Sequence, residues 1–333
     1  MSQYLKDRNE FENEVTILTS LLCKIPTFGK TVRRFPFGDK RMYFVKEPVV
    51  VMNGLTSYIS LIPQRKGEDA ALIKYQVKHG ENFFAELHHA ADYGTFCHMA
   101  VAQFLTTGVL DLYALKEEFR QYALACGLPM VRWNTYSYRL VNDMKSFAAF
   151  AHQHELEPLA TEYCVYDTEK LIATPLDIVC RMKFNKKVVM ANINLKFRES
   201  PASYPKDDIQ TAIERFMFNS KWAGTENEIT HTFIWCPVNW QKEPTWKLIN
   251  TTDKYTFEDW QQDHHILSLL ERQGKVYLTP NIKEKFATKA GVIVQLNKPV
   301  ILDEETVEEF CIRVSKADKE YSSYDEKESS NPF

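Results

Sequence analysis

The stretch LIATPLDIVCRMKFNKKVVMANINLKF, residues 171–197, decides the fold. It contains two runs of apolar and β-branched residues separated by the turn-like pair Asn185-Lys186, a pattern that predicts two strands, 171–184 and 187–197, joined as a hairpin. A further run, residues 162–166, precedes them across a polar joint. The three runs together predict an antiparallel meander.

Helical patterns surround these strands on both sides. Apolar periodicity predicts helices over residues 10–24, 67–79, 81–91, 94–106, 111–125, 146–157, 207–220 and 257–274. Two short strands or an edge strand are predicted within residues 41–52, where Pro48 interrupts an apolar run, and another strand over 229–238. The order of elements predicts an α/β or α+β fold, with a central mixed sheet flanked by helices.

Four segments are predicted from the changes in pattern along the chain. An N-terminal helical and strand segment covers residues 1–46, and the main domain covers 47–272. A C-terminal extension follows over 273–317, and the polar, charged residues 318–333 are expected to be a disordered tail.

Charge and composition limit the possible functions. Forty-one Lys and Arg against 44 Asp and Glu give a net charge of -3, so any contact with DNA must use a local basic patch. The seven cysteines form no CxxC pair, which argues against a zinc ribbon and fits reduced thiols. The N-terminus lacks the apolar core of a signal peptide and no run of 18 apolar residues occurs, so we expect a cytoplasmic protein without a membrane span.

The chemistry is suggested by polar residues inside apolar strands. Asp177 lies in LIATPLDIV, and Asn194 and Lys196 lie two apart in the next strand, hence on one face. Polar groups in such surroundings need a partner or a function, and hairpin pairing would bring them close to Asp177. A carboxylate that holds a divalent cation, beside a lysine that attends a water, is the kind of cluster that hydrolyses phosphodiesters.

An ordered set of motifs accompanies this cluster. The stretch ALIKYQVKHG is followed by AADYGTFCHMA with the spacing Gly-Thr-x-x-His, then by Glu162, Asp177, the triplet 194–196 and Gln210. Over roughly residues 47–270 the chain resembles the PD-(D/E)XK nucleases, in the branch of the RecB nuclease domain and lambda exonuclease. The resemblance implies a restriction-endonuclease-like core preceded by a helical N-terminal region.

The resemblance also implies a role for each matching position. Metal ligands would be His98, Asp177, the residue at position 194 and the backbone carbonyl of Leu195. Lys196 would act on the attacking water, and Glu162 and Gln210 would orient or supplement the site. The implied cofactor is Mg²⁺ or Mn²⁺. The implied substrate is linear DNA, cut by an exonuclease or end-processing enzyme of recombination and repair in a bacterium or bacteriophage.

One position departs from the family's pattern, because Asn194 stands where an acidic ligand is expected. An amide oxygen can bind Mg²⁺ but brings no charge, so metal affinity should fall. The amide fits a naturally weakened or inactive nuclease as well as a deliberate Asp→Asn replacement. The alternatives to an enzyme are an inactive nuclease-fold module that binds DNA or a protein, and a structural phage component.

Each candidate also has an ordinary structural interpretation. A histidine after a helix start, or an aspartate that caps a turn, needs no ligand, and a lysine on an edge strand is common. Four tryptophans, at positions 235, 240, 246 and 260, are predicted to pack in the core, with stacking on unpaired bases as the alternative.

Overall fold

The computed structural model describes residues 22–29, 32–37, 40–45, 50–63, 68–198 and 201–278. The chain forms two compact units. Within the described ranges, the first unit takes residues up to 26, then 68–163 and 175–256, and the second takes 27–63, 164–174 and 257–278.

Strands and helices alternate along the chain. The strands are β1 Val32–Phe37, β2 Lys40–Val45, β3 Val50–Gly54, β4 Glu157–Asp167, β5 Ile172–Phe184, β6 Lys187–Leu195, β7 His231–Val238 and β8 Thr245–Asn250. The helices are α1 Leu55–Ile59, α2 Glu68–His79, α3 Phe83–Thr107, α4 Leu112–Ala125, α5 Met130–Gln153, α6 Pro205–Trp222 and α7 Phe257–Arg272.

The first unit is built on a mixed sheet. Strands β5, β6, β7 and β8 lie side by side in this order, and β4 pairs with β5. The β5–β6 and β7–β8 pairs are antiparallel, whereas β6 and β7 are parallel. Because β6 and β7 run in the same direction, the residues that follow both strands emerge at the same edge of the sheet.

Helices cover both faces of this sheet. Side chains alternate along a strand, so Ile178 and Ile193 share one face and enter the apolar core formed with α3, α4 and α5. Asn192 faces the other way, and its side-chain amide donates a hydrogen bond to Glu214 on α6. The two-sided cover is typical of an α/β fold.

The β5–β6 hairpin closes through a two-residue turn, as the sequence predicts. Phe184 pairs with Lys187, and the residues between them, Asn185 and Lys186, have φ angles of 49° and 64°. Two successive positive φ angles are the signature of a type I′ turn, whose twist matches that of the flanking strands.

The second unit contains the remaining strands. β1, β2 and β3 are antiparallel neighbours, and β3 runs parallel to the start of β5, with Asn53 opposite Ile172. A small core includes Tyr43, Met52 and Ala173. Helices α1 and α7 belong to the same unit.

The structure confirms an α/β fold with a mixed sheet flanked by helices. Two of its helices, α3 and α5, differ in extent from the helices predicted there. The helices predicted over 81–91 and 94–106 are one continuous helix, α3. Gly94 does not break it, because Tyr93 and Phe96 on either side pack into the same core and an internal glycine costs only about 1 kcal/mol.

Helix α5 begins at Met130 and not near residue 146. The polar stretch RWNTYSYR hides the helical spacing of Tyr136, Leu140 and Met144, all three of which are buried. Strand β8 was not predicted, because its residues 245–250 are only partly buried or exposed and carry no clear alternation.

Several predictions fall partly or wholly outside the described residues. The helix predicted over 10–24 overlaps them only at 22–24, where Cys23 forms a β-bridge with Ala160 and no helix is present. The extension 273–317 beyond residue 278 and the tail 318–333 also lie outside them, and the four-segment division stays a prediction. No helix in the described ranges has the length and apolar character needed to cross a membrane.

The turn of the β5–β6 hairpin yields a stability prediction. Lys186→Gly should raise the free energy of unfolding by about 1 kcal/mol, because glycine adopts a left-handed backbone without the steric cost that a lysine pays. Urea denaturation followed by circular dichroism measures the change. As the control, Lys187→Gly in β6 should lower the stability, and a loss of stability in both variants would contradict the assigned turn.

Candidate functional site

Three side chains from different elements of the first unit converge. His98 lies on α3, Glu162 on β4 and Asp177 on β5, and one ligand atom from each lies within 4.8 Å of the others. The His98 Nδ1 atom is 3.5 Å from Asp177 Oδ1 and 3.9 Å from Glu162 Oε1. Their side chains are 29%, 25% and 11% exposed in the order His98, Glu162, Asp177, so the cluster is partly exposed to solvent.

The opposite charges of His98 and Asp177 shift the pKa values of both groups. Burial lowers the pKa of His98, but the carboxylates of Asp177 and Glu162 outweigh it and hold that pKa above its ordinary value. Burial raises the pKa of Asp177, but His98, Lys196 and the Leu195 N–H outweigh it and hold that pKa below its ordinary value. The charged forms of His98 and Asp177 thus stabilise each other, and a cation that bound the His98 nitrogen would compete with its proton.

The backbone at Glu162 is unusual for a strand. Its φ is +50°, in the left-handed region, and the three preceding residues, 159–161, are all buried, so the alternation breaks here. This combination is typical of a β-bulge, which redirects a side chain. The Glu162 carboxylate lies 3.9 Å from His98 Nδ1, and a left-handed backbone at a residue other than glycine carries strain.

The triplet 194–196 meets Asp177 directly. The backbone N–H of Leu195 donates a 2.7 Å hydrogen bond to Asp177 Oδ2, which leaves Oδ1 directed at His98. The Leu195 side chain is buried in the apolar core. Lys196 is held by Gln210, whose Oε1 atom is 3.1 Å from the lysine Nζ, and Asp207 Oδ1 lies 3.6 Å away.

Asn194 is the exception within the triplet. It is 1% exposed, and neither its side-chain oxygen nor its side-chain nitrogen has a hydrogen-bond partner among the described residues. A buried polar group in this condition costs about 1–3 kcal/mol. The side chain therefore retains a free acceptor oxygen on the polar face of β6.

A buried polar network continues from this face into α6. Asn192 Nδ2 and Gln210 Nε2 each donate a 2.8 Å hydrogen bond to a different oxygen of Glu214. Gln210 in turn accepts from Lys196. The network thus couples the lysine to a fully buried carboxyl group.

The environment keeps this carboxyl group neutral. Burial is the largest cause, the negative charge of Asp177 is the next, and together they raise the pKa of Glu214 to about 8 despite the two amide donors. Near neutral pH the protonated form therefore dominates, so Glu214 adds little negative charge to the site.

A second buried cluster connects α3 and α5 to the end of β6. The Tyr93 hydroxyl donates to Asp143 Oδ2 at 2.8 Å, and Arg139 Nε donates to the same oxygen at 3.3 Å. Arg139 also donates to the backbone carbonyl of Phe197, the residue after Lys196, at 3.3 Å. The helix that carries His98 is thereby linked to the backbone next to Lys196 through Asp143 and Arg139 of α5.

The structure brings most of the predicted site residues together. His98, Glu162 and Asp177 form one cluster, Leu195 contacts it through its N–H, and Lys196 and Gln210 form the adjoining pair. Glu214 was missed by sequence reasoning. A pattern in the sequence could have revealed it. Glu214 lies four residues after Gln210 in a helix that also contains the buried apolar residues 209, 212, 213, 217 and 218.

The comparisons with known proteins supply no family. No protein-family model matches the chain, and a search of curated proteins found no similar sequence. The roles assigned to these residues therefore depend on their chemistry and geometry.

The bulge at Glu162 yields a paired prediction. Glu162→Ala and Glu162→Gly both remove the carboxylate, but only glycine relieves the left-handed backbone. We expect the glycine variant to be more stable than the alanine variant by about 1 kcal/mol, measured by thermal unfolding. Equal stabilities of the two variants would mean that the backbone at this position is unstrained.

The pKa of Glu214 predicts a pH dependence of stability. A group whose pKa is raised on folding stabilises the protein at low pH, and this contribution is lost as the pH rises through the folded value, about 8. Glu214→Gln should therefore reduce the drop in unfolding free energy between about pH 6 and about pH 9. Urea denaturation at both pH values measures the drop in unfolding free energy for the unmodified protein and for the variant. Equal drops in the two proteins would show that the carboxyl group is ionised in the folded state.

Proposed function

We propose that this chain is a metal-dependent deoxyribonuclease with a restriction-endonuclease-like core, weakened by Asn194. The observation that carries the proposal is the convergence of His98, Glu162 and Asp177 beside Lys196. The substrate would be linear DNA, attacked at or near its ends. The protein would act in the cytoplasm of a bacterium or of a phage-infected bacterial cell.

The donor set fits a hard divalent cation. Two carboxylates and an imidazole supply oxygen and nitrogen ligands, which Mg²⁺ and Mn²⁺ accept. Asn194 would supply a further oxygen ligand, and its buried side-chain oxygen, without a hydrogen-bond partner among the described residues, supports this role. His98, Asp177 and Asn194 would hold the cation, with Glu162 as a supplementary ligand.

Each residue would contribute to hydrolysis by a defined property. The bound cation would polarise the phosphate and lower the pKa of a water. Lys196, oriented by Gln210, would donate hydrogen bonds to the attacking water and offset the charge that develops on the phosphate. The Leu195 N–H fixes one oxygen of Asp177, so the other oxygen keeps a constant direction toward the site.

The amide at position 194 would weaken the proposed activity. It contributes a dipole where a carboxylate would contribute a full charge, so a cation would bind less tightly and would act less strongly on the water. Because Glu214 is neutral near pH 7, it does not compensate. The negative charge at the site then comes from Asp177 and Glu162.

A second candidate is a nuclease-fold module that binds DNA or a protein without cutting, or a structural phage component. Asn194 favours this second candidate, since an amide stands where the resemblance leads us to expect an acidic ligand. Such a module would bind DNA with an affinity that falls steeply with salt and does not depend on metal. It would remain inactive after the acidic residue is restored.

Restoring the carboxylate tests the enzyme proposal. Asn194→Asp should raise Mg²⁺- or Mn²⁺-dependent cleavage of linear DNA by at least about tenfold, because a charged ligand strengthens the hold on the cation. End-labelled duplex and single strands are the substrates. Asn192→Asp is the matched control: it places a carboxylate on the same strand face, where Asn192 already contacts Glu214, and should give no gain.

Further variants separate catalysis from contamination and from folding. Adding Asp177→Asn or Lys196→Met to the Asn194→Asp variant should return cleavage to background. Mn²⁺ binding measured by electron paramagnetic resonance gives a readout that does not need turnover. If the Asn194→Asp variant is folded, binds Mn²⁺ and leaves every substrate intact, the enzyme proposal is wrong.

A further inference from the structure

An aromatic pair lies on the surface of the first unit. Tyr138 on α5 and Trp240, just after β7, have ring centroids 6.1 Å apart at an interplanar angle of 64°. Tyr138 is 52% exposed, and Trp240 is partly exposed. By contrast, Trp235 and Phe147 of the same unit are fully buried. The edge-to-face arrangement leaves aromatic surface available to a ligand.

The loop that carries Trp240 is held in a defined conformation by two hydrogen bonds. Asn239 has a φ of 58°, and its carbonyl accepts a 2.9 Å hydrogen bond from the Lys242 N–H. The side-chain amide of Asn142, itself 6% exposed, donates a 2.8 Å hydrogen bond to the Trp240 carbonyl. A buried amide and a left-handed residue therefore fix the position of a tryptophan that is not part of the core.

The pair lies at the same sheet edge as the proposed hydrolytic site. Strands β6 and β7 are parallel, and the Lys196 N–H donates to the Trp235 carbonyl at 2.9 Å, so Lys196 and Trp240 both emerge beyond the ends of neighbouring strands. On α5, the residue next to Tyr138 is Arg139, which donates to the carbonyl of Phe197. Helix α5 therefore contacts both the backbone next to Lys196, through Arg139, and the backbone of Trp240, through Asn142.

Exposed cations accompany the pair. Lys145 lies seven residues after Tyr138 on the same face of α5, and Lys242 lies two residues after Trp240. Glu243, also exposed, offsets part of this charge. Two flexible ammonium groups on the segments that carry the aromatic pair suit a ligand that has flat rings and a phosphate backbone.

We propose that Tyr138 and Trp240 form a binding subsite for an unpaired base of single-stranded DNA. This inference rests on the proposed function and narrows its substrate class. Both faces of a base within a duplex are covered by its neighbours, whereas an unpaired base can stack on an aromatic ring. The substrate that reaches Lys196 would therefore be a single strand or a frayed end.

Anisotropy of a labelled deoxythymidine oligonucleotide, with the full chain in EDTA, measures binding without cleavage. Tyr138→Ala and Trp240→Ala should each weaken binding by about tenfold, within the range that stacking on one aromatic residue gives. The slope of affinity against salt should stay unchanged, since no phosphate contact is lost. Tyr138→Phe keeps the ring and should bind as the unmodified protein does.

Tyr113→Ala is the matched control, because Tyr113 is 86% exposed on α4 and should be neutral. An abasic oligomer of the same length keeps every phosphate but loses stacking on both rings, so the unmodified protein should bind it at least as weakly as Tyr138→Ala binds the thymidine strand. Circular dichroism shows whether each variant is folded. If Trp240→Ala does not fold, the difference in binding between Tyr138→Ala and Tyr138→Phe tests the inference.

The inference is overturned if the unmodified chain binds no single strand, if it binds the abasic oligomer equally well, or if Tyr138→Ala has no effect. These outcomes differ from failure of the nuclease proposal. That failure would appear as normal, ring-dependent binding of single strands together with no cleavage by Asn194→Asp.

Discussion

The pairing of β5 with β6 is the constraint on which the site depends. Ile178 lies opposite Ile193, and the Leu195 N–H bonds to Asp177, so the carboxylate and the 194–196 triplet meet in one place. A shift of β6 by one residue would turn Asn194 toward the apolar core and move Ile193 to the polar face. The type I′ turn and the burial of Ile178 and Ile193 together exclude that shift. The hydrophobic pattern thus sets the geometry of the polar groups.

The parts of the structure that depend on local pattern could be predicted from the sequence. The alternation along residues 171–197 and the Asn185-Lys186 joint are sufficient for the hairpin, and the same alternation places Asn194 and Lys196 on one face. The extent of α3 and the start of α5 could not be predicted, because packing overrides the local signals of a glycine and of a polar stretch.

The site could be predicted only in part, for a similar reason. His98, Asp177 and Lys196 stand out as polar residues in informative positions, but the bulge that aims Glu162 has no sequence marker, because its left-handed residue is not a glycine. Glu214 resembles an ordinary helix glutamate until its burial is known. Its neutrality arises from desolvation and from Asp177, and neither cause is visible before the chain is folded.

The continuity of α3 offers a practical use. Gly94 lies one turn before His98 inside this helix, and a Cβ added there would meet no atom within 4 Å among the described residues. A cysteine at Gly94 could therefore carry a spin label or a fluorophore without disturbing the packing of Tyr93 and Phe96. Such a reporter would sense paramagnetic quenching by Mn²⁺ and would make ion occupancy observable in solution, whether or not the chain turns over a substrate.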